Sequence, residues 1–151
     1  MDNDTTATAS RTPIHLWIVG GLALLWNAFG AIDYVKSRSH DQAWTRRMMP
    51  DFDPATVFAY MDSMPIYASI GWALGVWGGL AGSILLLMRS RYAVSAFVVS
   101  LVGMIVSFGD QLLIHPAPAG MNNPMIPLFI TALGIGLFVY ARAMRMKNIL
   151  A

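Results

Sequence analysis

The chain has 151 residues, 56 % of them apolar and 12 % charged, with a mean hydropathy of +0.55. A soluble domain carries about 25 % charged residues, so this composition excludes an ordinary soluble fold, and the length leaves room for one helical bundle without a separate soluble domain. The absence of cysteine excludes disulfides, thiolate catalysis and thiolate metal sites. A net charge of +2, with the basic residues gathered at helix ends and not in a stripe, excludes a nucleic-acid surface.

Residues 1–13 are expected to form a disordered N-terminal tail. The segment MDNDTTATAS holds Asp2 and Asp4 where a secretory signal would be basic. Ala28-Phe29-Gly30 does resemble a small-x-small cleavage site, but the first apolar run, Ile14–Ile32, is longer than a signal core of about 7–15 residues. That run therefore reads as a retained membrane span. Asn27 is its most polar side chain. An unpaired amide in hydrocarbon is costly, so Asn27 should face another helix, as structural glue or as a contact for a solute.

The connection up to Pro65 is too long for a simple turn. Asp53-Pro54 is a helix start, with Asp as the capping acceptor and Pro in the first turn. The following PATVFAYMDS places Val57, Phe58 and Met61 at helical spacing, which predicts a short amphipathic helix, either on the membrane interface or plugged onto the bundle. Next comes the run that constrains the fold most. Ile66–Met88 has no charged side chain and extends roughly 34 Å at about 1.5 Å per residue, against a hydrocarbon core of about 30 Å. Along it Ala68, Gly71, Gly75, Gly78, Gly79 and Gly82 fall within an arc of roughly 100°. The 71/75 and 78/82 pairs satisfy small-x-x-x-small spacing, which permits close backbone approach within the bundle, at a homo-oligomer interface or along a solute path. Trp72 and Trp77 lie off this stripe.

Arg89-Ser90-Arg91 is so short that the second and third spans must be antiparallel neighbours. The third span is expected over Tyr92–Gly109. HPAPAGMNNP then makes a stiff, Pro-rich connection, Asn123-Pro124 starts the last span over Met125–Ala141, and 146–151 form a C-terminal tail. The reading is a single transmembrane domain over 14–145, with spans at about 14–32, 66–88, 92–109 and 125–141. Helices satisfy their own backbone in lipid, so each run is read as a spanning helix.

One face of the membrane receives Arg11, Arg89, Arg91, Arg142, Arg145 and Lys147 with two acids; the other receives Lys36, Arg38, Arg46 and Arg47 with six. The excess of basic residues predicts both termini in the cytoplasm. Trp17, Tyr92 and Tyr140 would mark the inner interface, and Tyr34, Tyr67 and Phe108 the outer one. Asp33, Asp62 and Asp110 then share the outer face with His40 and His115. Such a set could bind a divalent metal or a cationic solute, although no metal-ligand spacing is present and helix-end capping is the simpler reading. His15 reads as an interfacial residue. No charged residue lies in the centre of any span, which speaks against ion-coupled transport. No phosphate-binding loop, nucleophile elbow or zinc-protease pair occurs, and neither a cofactor nor a catalytic residue is assigned.

Trp26-Asn27-x-x-Gly30-x-x-Asp33-Tyr34, Pro65, Trp72-Ala73-Leu74-Gly75-Val76-Trp77-Gly78-Gly79 and Gly82-Ser83-Ile84-Leu85-Leu86-Leu87 together resemble a family. Its members are small, functionally uncharacterised four-helix proteins of the bacterial inner membrane, some loosely labelled sugar transporters. The resemblance runs from Trp26 to Phe108 and implies an architecture and a location, with no mechanism. A looser, fold-level similarity to DoxX-like proteins rests on helix count and the extended first loop.

The fold class is thus all-α: a four-helix transmembrane bundle with a short interfacial helix between helices one and two. Two functions stand open. One is a non-catalytic membrane module that binds or stabilises a partner, through the glycine stripe (Gly71, Gly75, Gly78, Gly79, Gly82) and the outer loop. The other is a small homo-oligomeric transporter or channel for a polar, sugar-like solute. The candidate polar contacts are Trp26, Asn27, Asp33, Asp62 and Asp110, with the Trp72/Trp77 pair lining the path. The expected surroundings are the lipid bilayer and a homo-oligomer or membrane-protein partner.

Overall fold

The structure, a computed structural model, describes residues 12–151. The expected N-terminal tail, with Asp2, Asp4 and Arg11, lies outside the described residues except for Thr12 and Pro13. Six α-helices follow in order: α1 (Ile14–Arg38), α2 (Gln42–Met48), α3 (Pro54–Ser63), α4 (Ile66–Leu87), α5 (Tyr92–Gly109) and α6 (Met125–Met146). A π-helical turn, Asp110–Ile114, extends α5. Among the described residues there is no strand. α1, α4, α5 with its π turn, and α6 are long and apolar enough to cross a membrane. The protein is an all-α, multi-pass membrane protein.

Three spans run longer than their apolar cores suggest. α1 continues through Lys36 and Arg38, whose charges sit in its last turn, where cations favour the negative end of a helix dipole. The loop after it holds two helices, not one. α2 is capped by Asp41, whose Oδ1 accepts from Trp44 N at 2.9 Å. Asp53 precedes α3 as expected, but its side chain makes no capping bond; Pro54 in the first turn starts that helix.

α4 and α5 form the central antiparallel pair, with α1 against α4 and α6 against α5. Glycine is what brings the central pair together. A Cβ at Gly71 would lie 2.9 Å from Gly103 O, and one at Gly78 would lie 2.9 Å from Ser100 N. From the other side, a Cβ at Gly103 would lie 2.5 Å from Gly71 O and 2.6 Å from Gly75 N. All of these are shorter than real side chains tolerate, so the two backbones touch where side chains are missing. Ser100 Oγ also donates to Gly75 O at 2.6 Å across the pair. The buried face of α4 is accordingly small from Ala68 to Ser83 (Ala68, Gly71, Gly75, Gly79, Gly82, Ser83), with the large Leu86 buried in its last turn, while Ile66, Ile70, Leu74, Trp77 and Ile84 point outward. Helix association in lipid runs on close packing and interhelical hydrogen bonds, because large apolar side chains gain nothing by leaving the hydrocarbon.

The start of α1, the C-terminal residues and the α4–α5 turn meet at one end of the bundle, where Arg89 Nη1 donates to Thr12 Oγ1. Ala151 N donates to Arg89 O at 2.8 Å, and Arg91 N donates to Ala151 O at 2.9 Å. Leu150 is buried there with Leu16, Leu86, Val94, Phe97 and Met144. At the other end α3 buries Val57 completely. Its Tyr60 hydroxyl donates to His115 O at 3.2 Å, tying α3 to the end of the π turn.

Candidate functional site

Since α1 packs on α4 and α6 on α5, the two outer helices stand apart across the central pair. They meet through long side chains: Trp26 lies edge-on to Phe129 with ring centroids 6.0 Å apart, and His15 shares a hydrogen bond with the Tyr140 hydroxyl. Between them lies a cavity of about 320 Å³. Its floor is Gly75 and Gly79 of α4 with Ser100 and Ser107 of α5; its sides are Trp26, Asn27, Gly30 and Asp33 of α1 and Ile130 and Gly134 of α6. Phe97 and Leu137 line it toward the terminal end, where both belong to the packed apolar core that closes the bundle.

Asn27 is held by two bonds from its Nδ2, to Ala23 O at 2.9 Å and to Ser83 Oγ at 3.0 Å. Ser83 Oγ passes its own proton to Gly79 O at 2.9 Å. The amide is thereby fixed in rotation, and its Oδ1 faces Gly79, where a Cβ would overlap it. Among the described residues no donor reaches Oδ1, and the atom is not fully buried.

Asp33 stands where this cavity adjoins a second one of about 310 Å³, and it lines both. The second space lies under Val57, Tyr60 and Met61 of α3 and its C-cap Met64, beside Met121, Asn122 and Asn123. Trp72, Ser107, Phe108, Ile126 and Ile130 are common to the two. Asp33 Oδ1 accepts from Trp44 Nε1 at 2.8 Å, and among the described residues no Lys, Arg or His forms an ion pair with it. Tyr34 lies edge-on to Trp72 with centroids 4.8 Å apart.

The other acidic candidates lie elsewhere. Asp62 is exposed and pairs with His40 Nε2 at 3.1 Å, while His40 stacks on Phe58 at 4.6 Å. Asp110 is buried, and its Oδ1 accepts from the Tyr67 hydroxyl and from His115 Nδ1, the latter at 2.8 Å. The π turn makes the second bond: His115 N donates to Asp110 O at 2.8 Å, so residues five apart sit above one another. Burial and the nearby Asp110 charge push the Tyr60 hydroxyl above its ordinary pKa. Among the described residues no group of three or more His or acidic side chains is placed to hold a metal ion.

The structure therefore brings Trp26, Asn27 and Asp33 to one cavity and leaves Asp62 and Asp110 in separate pairs. Trp72 lines the cavity, whereas Trp77 is half exposed on the outer surface of α4. Gly71, Gly75, Gly79 and Gly82 are buried, with Gly78 beside them against Ser100, so the stripe is occupied by α5, with Asn27 against Gly79. Trp44, Ser100 and Ser107 were not singled out from sequence. Ser100, Gly103 and Ser107 form a second small-residue stripe on one face of α5, and that spacing would have flagged them. Comparison with protein-family models, curated proteins and solved structures found no match.

Proposed function

We propose that this protein is a non-catalytic binding module of the bacterial inner membrane, with both termini cytoplasmic, that holds one small, mostly apolar molecule between α1 and α6. The observation that carries this reading is the cavity with a fixed Asn27 amide in its wall, whose Oδ1 receives no hydrogen bond from the described residues. Apolar pockets with a few convergent polar groups are the ordinary form of a small-molecule site. A dry cavity of about 150 Å³ takes benzene, so 320 Å³ suits a ligand of roughly a dozen non-hydrogen atoms.

The form of the cavity supports binding over conduction. It leads toward the α3 end through the second space and ends against the core at the terminal end. A solute path would require Leu16, Leu86, Phe97 and Leu137 to part. A partner docked on the glycine stripe would have to displace α5.

The test uses 4-phenyl-1-butanol, a probe of the right size, on the purified protein in lipid nanodiscs. A Cβ at Gly30 meets nothing within 4 Å, and the residue lines the cavity. Gly30→Leu should therefore set its Cβ in open space, extend its side chain into the cavity and gain about 1 kcal/mol of helix propensity. Saturable binding is expected in the wild type, with a stabilisation of about 2.7 kcal/mol at one hundred times Kd. Gly30→Leu should abolish binding while keeping at least wild-type stability. Absence of saturable binding, or binding undiminished in Gly30→Leu, would overturn the reading.

A further inference from the structure

We infer that the ligand is a lipophilic amine, its apolar body in the cavity and its ammonium group at Asp33. The inference rests on the binding reading above and names the chemical class that the walls select.

The first argument is hydrogen-bond polarity. Asn27 spends both described donations of its Nδ2 on Ala23 and Ser83, which leaves Oδ1 an acceptor. Ser100 spends its hydroxyl proton on Gly75 O, which leaves lone pairs. Asp33 offers carboxylate oxygens, of which only Oδ1 is engaged, by Trp44. The Ser107 hydroxyl can turn either way. The fixed polar atoms of the wall thus accept, and an ammonium group is a pure donor.

The second argument is charge. Asp41, Asp62 and Asp110 each have a basic partner, in Lys36, His40 and His115. Asp51 and Asp53 are exposed. Asp33 alone among the described acids combines partial burial, a place on an apolar cavity and no basic partner. A carboxylate beside low-dielectric space attracts a cation more strongly than one in water does.

The third argument is the aromatic surround. Trp26, Phe29, Trp72 and Phe108 line the cavity, and the Trp44 indole donates to the carboxylate. Ring faces attract ammonium groups, most strongly when these are desolvated. A carboxylate on a cavity lined by aromatic rings favours an amine and repels a lipophilic acid.

The experiment compares three probes of one shape, 4-phenylbutylamine, 4-phenyl-1-butanol and 4-phenylbutyrate, on wild type and Asp33→Asn in nanodiscs. Asn retains an acceptor for Trp44, so the variant should fold, and its affinity for the alcohol reports that directly. Wild type should bind the amine about ten-fold or more tightly than the alcohol, the worth of one charge-assisted hydrogen bond, and the carboxylate most weakly. In Asp33→Asn the preference for the amine should vanish while the alcohol's affinity stays the same. Equal binding of amine and alcohol by wild type, or an amine preference that survives in Asp33→Asn, would overturn the inference and leave the cavity reading standing. Failure of both amine and alcohol to bind wild type saturably would overturn both.

Discussion

Replacing Gly103 by alanine adds one methyl group at the tightest point of the α4–α5 contact. Its carbon would lie 2.5 Å from Gly71 O and 2.6 Å from Gly75 N, close to 1 Å short of ordinary contact, and both neighbours are backbone that cannot swing aside. The helices must separate locally by about that distance. A gap of 0.5–1 Å forfeits roughly a quarter to a half of the dispersion energy of the facing atoms. It also stretches the bond from Ser100 Oγ to Gly75 O, now 2.6 Å. Overpacking of this kind costs about 1–3 kcal/mol. Gly136→Ala is the control: it shares the gain in helix propensity, but a Cβ there meets nothing within 4 Å. The difference between the two variants isolates the clash. Reversible unfolding by SDS titration in mixed micelles should place Gly103→Ala about 1–3 kcal/mol below Gly136→Ala. If the two agree within about 0.5 kcal/mol, the range of uncoupled surface substitutions, the backbones are not in contact there and the account of the central pair is refuted.

The same titration checks two further expectations. Asn27→Leu and Ser83→Ala each break the bond between α1 and α4, and each should cost roughly 0.6–1.7 kcal/mol. The double variant should lose no more than the larger single loss, and full additivity would show that the two side chains act independently. Tyr67→Phe leaves buried Asp110 with His115 as its remaining described donor and should cost about 1.5–3 kcal/mol, whereas Tyr60→Phe loses a weaker, more exposed bond and should cost less. At the α2 cap, the Lys36 ammonium at 2.8 Å and the Trp44 N–H hold the Asp41 carboxyl below its ordinary value of 3.8. Because the folded value is the lower one, this cap contributes above the ordinary value and is lost as pH falls through the folded value. The protection of the amides at 42–48, their exchange rates normalised to the intrinsic rate at each pH, should therefore fall on going from about pH 5 to about pH 2, and Asp41→Asn should flatten that dependence.

Four spans were legible because an uncharged apolar run is a local property that no tertiary context can reverse. Partners were not legible, since they depend on how each helix is rotated. The cost of burying Asn27 required some partner, yet Ser83 emerges only once α1 lies on the Gly79–Ser83 edge of α4. The acids divide for a related reason. Asp33, Asp62 and Asp110 belong to one end of the bundle, but Trp44 reaches Asp33 from a helix masked by the continuation of α1 through Arg38. The Asp110–His115 pair spans five residues across a π turn, a spacing absent from α-helical periodicity. Asp53 shows the opposite error. The Asp-Pro pair marked the start of α3 correctly, but proline geometry alone sets that boundary.

The glycine stripe and the cavity have one cause. Glycines at 71, 75 and 103 draw α5 onto α4, which leaves α1 and α6 on opposite flanks with a floor of glycine and serine between them. Collapse is prevented on both sides. Asn27 ties α1 to Ser83, and Gly134 of α6 already lies so close to Met104 and Leu101 that a Cβ there would meet Met104 Cε at 2.7 Å. The pocket of about 320 Å³ is open at its rim and is not a sealed void, so the surrounding lipid or water fills it when no ligand is bound. A lipid chain matches Trp26, Phe97 and Leu137 but brings no donor to Asn27 Oδ1 or to the second oxygen of Asp33, and water reverses the mismatch. A molecule with an apolar body and a donor at one end meets both sets of atoms at once.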